Sequence, residues 1–267
     1  MNARMTSFEF TCLGKKVNDI TSALFHSIIF NRCYGKFRYD SEQAYSIGTL
    51  GYEEISCDFI DFTYICVSSN ELVRSVNRDI KTFTEALRTA SFRSQASTSP
   101  SSPPSFSSTF IDPYSPIPSP SSEDVGFLTS AASSGTIFLE FLTKSSRSTW
   151  SFSEPLVWEV WSLKFNCLKE DTNEDAFNKT AIDEQLFDKV LSIVQIVNNA
   201  QYLPTMPSLS EVDSVFDTNY PNAQPYNFKI SYKIGSGVTK DASARPGLER
   251  NSAQAQIKNF IKQKLAL

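Results

Sequence analysis

Histidine is almost missing from this sequence: His26 is the only one in 267 residues. A Ser-His-Asp relay or a histidine-based metal site would therefore rest wholly on that one side chain. His26 falls inside a run with helical spacing, next to Phe25, where a packed or surface histidine is commoner than a catalytic one. The five cysteines (Cys12, Cys33, Cys57, Cys66, Cys167) are odd in number and scattered, with no C-x-x-C. That pattern argues against a disulfide framework or a zinc site and for reduced thiols in the cytosol.

Phosphate-binding glycine loops are also absent. G-S-G at 235–237 lacks the lysine and the helix that a Walker loop needs. Positive charge is in deficit, with a net charge of −4 and a pI of about 5.2. No global field therefore draws nucleic acid or an anionic membrane, although local basic patches stay open. No apolar run approaches the roughly 20 residues of a membrane span. The opening M-N-A-R-M-T-S-F-E-F has no apolar signal-peptide core. The acidic cluster Glu170-Asp171, Glu174-Asp175 misses the EF-hand spacing and reads as a solvated loop and helix start. These absences predict a soluble, intracellular, non-enzymatic chain with no catalytic residue, no cofactor and no metal site.

What is present is core material. Hydrophobic residues make up 40% and aromatics 13%, with 21 Phe, enough for one generous domain. Phe8 to Leu13 alternates as a first strand ended by Gly14. Val17, Ile20, Leu24 and Ile28 then recur at helical spacing, predicting a helix that stops near Gly35. Lys36–Tyr39 and Tyr45–Ile47 read as short strands, and the β-branched, aromatic stretch Cys57–Val67 as a longer one. In that strand Asp58 and Asp61 would lie on opposite faces and could not pair.

Ser68-Ser69-Asn70-Glu71 predicts a capping box with Ser68 as N-cap. The helix it opens places Leu72, Val76, Ile80, Phe83 and Leu87 on one face, with Arg74, Arg78 and Lys81 toward solvent. Leu156–Leu168 reads as a long strand with Trp158 and Trp161 on opposite faces. A third helix carries Ile182, Leu186, Val190, Ile193 and Val197, flanked by Phe187, Leu191 and Val194, before Pro204 and Pro207. Ser210 is expected to cap a single turn, and Tyr226–Ile234 alternates as a half-buried strand. Strands and helices thus mix without regular alternation. The predicted class is α+β: a mostly antiparallel sheet with three long helices packed against it, in one domain spanning 1–267.

Two segments break this pattern. From about 93 to 135 roughly half the residues are Ser or Pro, which predicts a disordered insert; its Ser-Pro pairs fit proline-directed kinases, but a tolerated loop insertion is the commoner case. Residues 235–255 read as a flexible excursion. After it, Ile257, Phe260, Ile261 and Leu265 form a stripe at helical spacing among Lys258, Lys262 and Lys264. That stripe suits docking on the domain itself, on a partner or on an anionic surface.

The most informative stretch is R-S-T-W-S-F-S-E-P-L-V-W-E-V-W at 147–161, which holds all three tryptophans. Trp150 and Phe152 lie two apart, so in extended backbone both rings point to one side. Ser148, Thr149, Ser151, Ser153 and Pro155 around them suit an exposed turn. Burial of each ring in a partner would contribute about 1.5–3 kcal/mol, and tryptophan is enriched at interface hot spots. Burial in the chain's own core is an equal alternative on composition alone.

A series of short motifs resembles the autophagy-related protein 101 family. They include G-K-F-R-Y at 35–39, Y-S-I-G-T at 45–49, C-D-F-I-D-F-T-Y at 57–64, V-S-S-N-E-L at 67–72 and W-E-V-W at 158–161. Y-L-P-T-M-P at 202–207, S-E-V-D-S-V-F-D-T at 210–218, P-Y-N-F-K-I-S at 225–231 and the terminal L-A-L complete the series. The resemblance implies a HORMA domain that pairs with and stabilises the HORMA domain of autophagy-related protein 13 within the autophagy-initiation kinase complex. It implies a cytoplasmic protein that acts at the phagophore assembly site. It also implies an exposed Trp/Phe finger that recruits downstream autophagy factors, here Trp150, Ser151 and Phe152.

Families of this kind commonly place Pro between the two rings. Ser151 does not restrict φ as Pro would, so ordering this finger costs more. The long Ser/Pro insert and the expanded 235–255 region are further departures. Two other readings stand beside this one: a chromatin or checkpoint HORMA adaptor that closes its C-terminal segment over a partner peptide, and an enzyme using His26, which the missing catalytic motifs disfavour.

Overall fold

The computed structural model describes residues 3–96, 133–144, 155–168, 177–199 and 202–243. Its strands and helices are mixed, and the main sheet has five strands in the order β1-β8-β7-β10-β11. These are β1 (Arg4–Leu13), β7 (Ser133–Thr143), β8 (Leu156–Leu168), β10 (Phe228–Ile234) and β11 (Lys240–Asp241). The pairs β8–β7, β7–β10 and β10–β11 are antiparallel, while β1 lies parallel to β8. The mostly antiparallel α+β architecture expected from the sequence is therefore present, with one parallel pair at its edge.

Alternation along these strands decides what the sheet buries. Phe8, Phe10, Ile137, Leu139, Phe141, Trp161, Leu163, Phe165, Ile230 and Tyr232 are all buried on one face. On the opposite face Glu9 accepts hydrogen bonds from Lys164 Nζ at 2.9 Å and Asn166 Nδ2 at 2.7 Å. Three helices cover the apolar face: α1 (Val17–Asn31), α2 (Asn70–Ala96) and α3 (Phe177–Val197). α1 packs against both others, α2 against β7 and β10, and α3 against β1. The expected stripes of α1 and α2 are buried as read, with Val76, Ile80 and Phe83 fully enclosed.

Smaller pairings finish the fold. They join β2 (Cys33–Tyr34) to β9 (Gln224–Pro225), β3 (Phe37–Tyr39) to β4 (Tyr45–Ile47), and β5 (Tyr52–Ser56) to β6 (Thr63–Val67). Gly35 is needed at the base of the β3–β4 hairpin, because a Cβ there would fall on the Gly48 carbonyl.

Several local expectations change. Cys57–Val67 is not one strand: only Thr63–Val67 is extended, and 57–62 turns back to pair it with β5. The buried Asp19 of α1 reaches into that turn and accepts the Phe59 N–H at 2.6 Å, which a straight strand would not offer. Asp58 and Asp61 thus belong to a turn, and the strand rule does not govern them.

Ser68 is not the cap of α2, which opens at Asn70 with Val73 N–H donating to the Ser69 carbonyl. The Ser68 hydroxyl donates instead to Glu53 on β5, at 2.8 Å. Ser210 likewise donates to Glu42 rather than capping the one-turn α4 (Val212–Val215). In the expected excursion, residues 235–243 form a turn and the short β11. Gly235, at φ +54°, supplies the left-handed residue that this turn requires.

The expected insert is bounded by the end of α2 at Ala96 and the start of β7 at Ser133. Its remaining part, 97–132, lies outside the described residues, as do the acidic cluster at 170–175 and the stripe at 257–265.

The two tryptophans of β8 do not lie on opposite faces. Phe141 pairs with Glu159 but Leu142 pairs with Val157, so Trp158 is the extra residue of a β-bulge. The bulge turns Trp158 toward the helices, where its ring meets Tyr226 at 5.1 Å and Phe141 at 5.6 Å between centroids. Glu159, two residues before Trp161 and paired with Phe141, points inward by ordinary alternation. Arg32, just past the end of α1, grips it with Nε to Oε2 at 2.8 Å and Nη2 to Oε1 at 3.1 Å. Both side chains are almost fully enclosed, at 2% and 1% exposure.

The same guanidinium donates to the Val197 carbonyl at the end of α3 (3.1 Å) and to the Tyr202 hydroxyl (2.7 Å). Tyr202 in turn donates to Glu159 Oε1 at 2.9 Å. Desolvation opposes the charge on Arg32, but hydrogen bonding to Glu159 and its attraction raise the pKa overall.

Two predictions follow from these groups. Arg32→Met leaves Glu159 buried without its counter-charge, with only the Tyr202 hydroxyl still donating to it, and should cost about 3–5 kcal/mol in urea unfolding. The pair Arg32→Met with Glu159→Leu should lose less than either single change. A single-variant loss below about 1 kcal/mol would contradict a desolvated pair.

His26 is the second group. It is enclosed in α1, with Nε2 2.8 Å from Asn77 Oδ1 and its ring stacked on Tyr64. Burial pushes its pKa below the ordinary value of 6.5, and the bond to Asn77 only partly opposes this. The unfolded chain thus takes up a proton first, so this contribution to stability is present above about pH 6.5 and is lost as pH falls. Denaturation between pH 7 and 5 should show a slope from this group of at most about 1.4 kcal/mol per pH unit, absent in His26→Gln.

Candidate functional site: the connection between β7 and β8

The expected recognition residues Trp150, Ser151 and Phe152 lie outside the described residues, within 145–154. The structure does describe both ends of that segment. β7 and β8 are hydrogen-bonded neighbours, and their last pair, Thr143 with Leu156, brings the two ends side by side. The segment is therefore the connection of a long antiparallel hairpin in the middle of the sheet.

The root of this hairpin is tightly held. Lys144 N–H donates to the Ser214 carbonyl at 2.7 Å, and Leu142 N–H to the Asn227 carbonyl at 2.9 Å. Asn227 is buried and donates from Nδ2 to the Asp213 carbonyl at 3.1 Å, so α4 and the approach to β10 brace the β7 side. On the β8 side the bulge at Trp158 and the Arg32–Glu159 pair begin three residues after Pro155. Leu156, at the mouth of the hairpin, is exposed. Both ends of the segment are thus fixed to the sheet and its bracing loops.

Reactive chemistry is poorly supplied elsewhere. Burial pushes the Cys12, Cys33 and Cys57 thiols up to about 12, and raises Cys66 and Cys167 as well. A thiol so raised is not a nucleophile near neutral pH. All five cysteines are free. A shallow polar depression is lined by Lys36, Arg38, Gly48, Thr49, Gly51, Ser68, Pro221 and Asn222. Its Lys36 is already committed to the carbonyls of Thr218 and Tyr220, at 3.0 and 3.1 Å. His26 is packed inside the core rather than in a cleft, and G-S-G at 235–237 is the turn between β10 and β11. Among the described residues no group of three or more His, Cys, Asp or Glu could hold a metal ion. None of the described helices is long and apolar enough to cross a membrane.

Two features escaped sequence reasoning. One is the Arg32–Glu159 pair, whose only signal was a carboxylate set inside the apolar run V-W-E-V-W. The other lies on α3. Phe187, Leu191 and Val194, read as flanks of the buried face, are 55%, 47% and 41% exposed.

Residues 9–210 match the family model described as autophagy-related protein 101. Autophagy-related protein 101 of Xenopus tropicalis is 35% identical over 245 residues, covering 90% of this chain and 94% of that protein. The proteins of that name from Bos taurus and Homo sapiens are 34% identical with the same coverage. The chain belongs to the autophagy-related protein 101 family.

Proposed function

We propose that this chain is a non-enzymatic HORMA-domain adaptor of autophagy initiation, with a Trp/Phe finger at Trp150, Ser151 and Phe152. It pairs with and stabilises the HORMA domain of autophagy-related protein 13 within the initiation kinase complex. Through the finger it recruits downstream autophagy factors, acting in the cytoplasm and at the phagophore assembly site. Family membership along most of the chain supports the role in autophagy. The observation that carries the finger is the braced root of the β7–β8 hairpin, which holds the ends of 145–154 together beside a fixed sheet.

The chemistry of the finger is simple on this reading. Two rings spaced by one residue insert into an apolar partner pocket, and Ser151 leaves the backbone between them free to adjust. The insertion is driven by desolvation, at about 1.5–3 kcal/mol per ring. It is offset by ordering a segment that lacks proline's restriction of φ. Removing both rings should cost a large fraction of the partner affinity, as expected for a hot spot.

The test is Trp150→Ala with Phe152→Ala in the full chain. The double variant should melt with the parent and co-purify undiminished with the autophagy-related protein 13 HORMA domain, while autophagosome formation in cells fails. A clear drop in melting temperature would make the rings part of the core. Normal autophagosome formation would remove the finger from the mechanism. Ser151→Pro should strengthen capture of downstream factors by cutting the ordering cost.

A further inference from the structure

We propose that Tyr52 is a phosphorylation site, and that the phosphorylated stretch Tyr52-Glu53-Glu54-Ile55 is read by a partner's SH2-type domain. This goes beyond the adaptor role and does not depend on it. Y-E-E-I opens β5 (Tyr52–Ser56), directly after Gly51. A domain of that kind holds the phosphate with a cluster of Arg side chains. The two glutamates suit a basic rim beside that cluster, and an apolar side chain three residues on suits a pocket. One short stretch thus offers anion, acidic spacer and apolar anchor in that order.

The fold leaves Tyr52 accessible. It is 61% exposed and stands opposite Val67 in the β5–β6 ladder. Glu54 and Ser56 follow at every second residue and are exposed beside Ile65 and Thr63 of β6. β5 belongs to a two-stranded pairing, so its outer edge has no strand partner among the described residues. Residues 48–51 before it have no regular structure. A tyrosine at the start of such an edge strand can enter the extended substrate groove of a kinase. There its hydroxyl oxygen attacks the γ-phosphorus of ATP. The proton passes to the kinase's catalytic carboxylate, and the bond to the β-phosphate oxygen breaks to release ADP.

Ile55 is the anchor that the fold holds back. It is partly buried against the core, and Glu53 accepts a hydrogen bond from the Ser68 hydroxyl at 2.8 Å. Reading the stretch therefore requires β5 to lift from β6. The phosphate favours this, because it adds a charge of about −1.5 to −2 next to Glu53 and in line with Glu54, where like charges repel. The strand has little to resist with, since a two-stranded hairpin is marginal by itself. Modification of Tyr52 and release of Ile55 are thus coupled.

The full chain, incubated with ATP and a Src-type tyrosine kinase, tests this. Mass spectrometry of its peptides should place phosphate on Tyr52. Tyr52→Phe, at an exposed position, should melt with the parent and lose that phosphate. The phosphorylated chain should bind the isolated SH2 domain of the same kinase at least about tenfold more tightly than Tyr52→Phe carried through the same reaction. Ile55→Thr keeps a β-branched residue in the strand and should weaken this binding by about tenfold or more. The same change in a phosphorylated peptide of residues 49–58 separates the pocket from any loss of fold.

Phosphate on other tyrosines with Tyr52 unmodified would overturn the proposal. So would a phosphorylated chain that binds no tighter than Tyr52→Phe. If the free phosphopeptide binds while that chain does not, β5 fails to release and the proposal falls equally. Undiminished binding of the Ile55→Thr phosphopeptide would also overturn it, because the residue three positions on would then not be read.

Discussion

One enclosed ion pair ties together elements that are far apart in the chain. Arg32 closes α1, Glu159 sits in the interior strand β8, Val197 ends α3, and Tyr202 begins the segment toward α4. A bidentate guanidinium–carboxylate contact tolerates little displacement, because both hydrogen bonds weaken together when the planes shift. The pair therefore sets how far α1 and α3 slide along the sheet. The bulge lies directly beside the pair and brings Trp158 to the same side as Glu159, which ordinary alternation with Trp161 already turns inward. Such a pair contributes little net stability compared with a well-packed apolar substitute, but it penalises every arrangement in which either charge stays alone. Its effect is on specificity of packing, and the tryptophan packed edge-on to Tyr226 and tilted against Phe141 fills the space beside the bulge.

The strongly periodic elements were legible from residues alone. The stripes of α1 and α2, the alternation in β10 and the apolar sheet face all follow from spacing, because each buries one side against many neighbours. Elements decided by a single tertiary bond were not. Cys57–Val67 has every property of a strand except the Asp19 carboxylate that holds Phe59 in a turn. Ser68 has the right position for a cap, yet Glu53 on the adjacent strand competes for its hydroxyl. The faces of Trp158 and Trp161 depend on one unpaired residue, which no period-2 count can detect.

The candidate site divides in the same way. Trp150 and Phe152 stand out by their setting among small hydroxyl residues and by the family motif series, and they lie outside the described residues. The base of the β7–β8 hairpin was not readable, since Lys144 and Leu142 bond to Ser214 and Asn227, 70 and 85 positions further along the chain. Autophagy-related protein 101 family members share most of this chain's length, and the shared span includes both strands of the hairpin.

The parallel pairing of β1 with β8 has a consequence for evolution and folding. Its partners are 155 residues apart, as Glu9 and Lys164 are, and everything from α1 to the Ser/Pro-rich stretch lies inside the loop they close. The entropy of closing a loop grows only with the logarithm of its length, so adding or deleting the stretch 97–132 changes it by on the order of a few tenths of a kcal/mol. Insert length can therefore drift between relatives at almost no thermodynamic cost. The burden falls on kinetics, because a sheet that must wait for such distant ends to meet assembles late, and β8 stays open along one edge until β1 arrives.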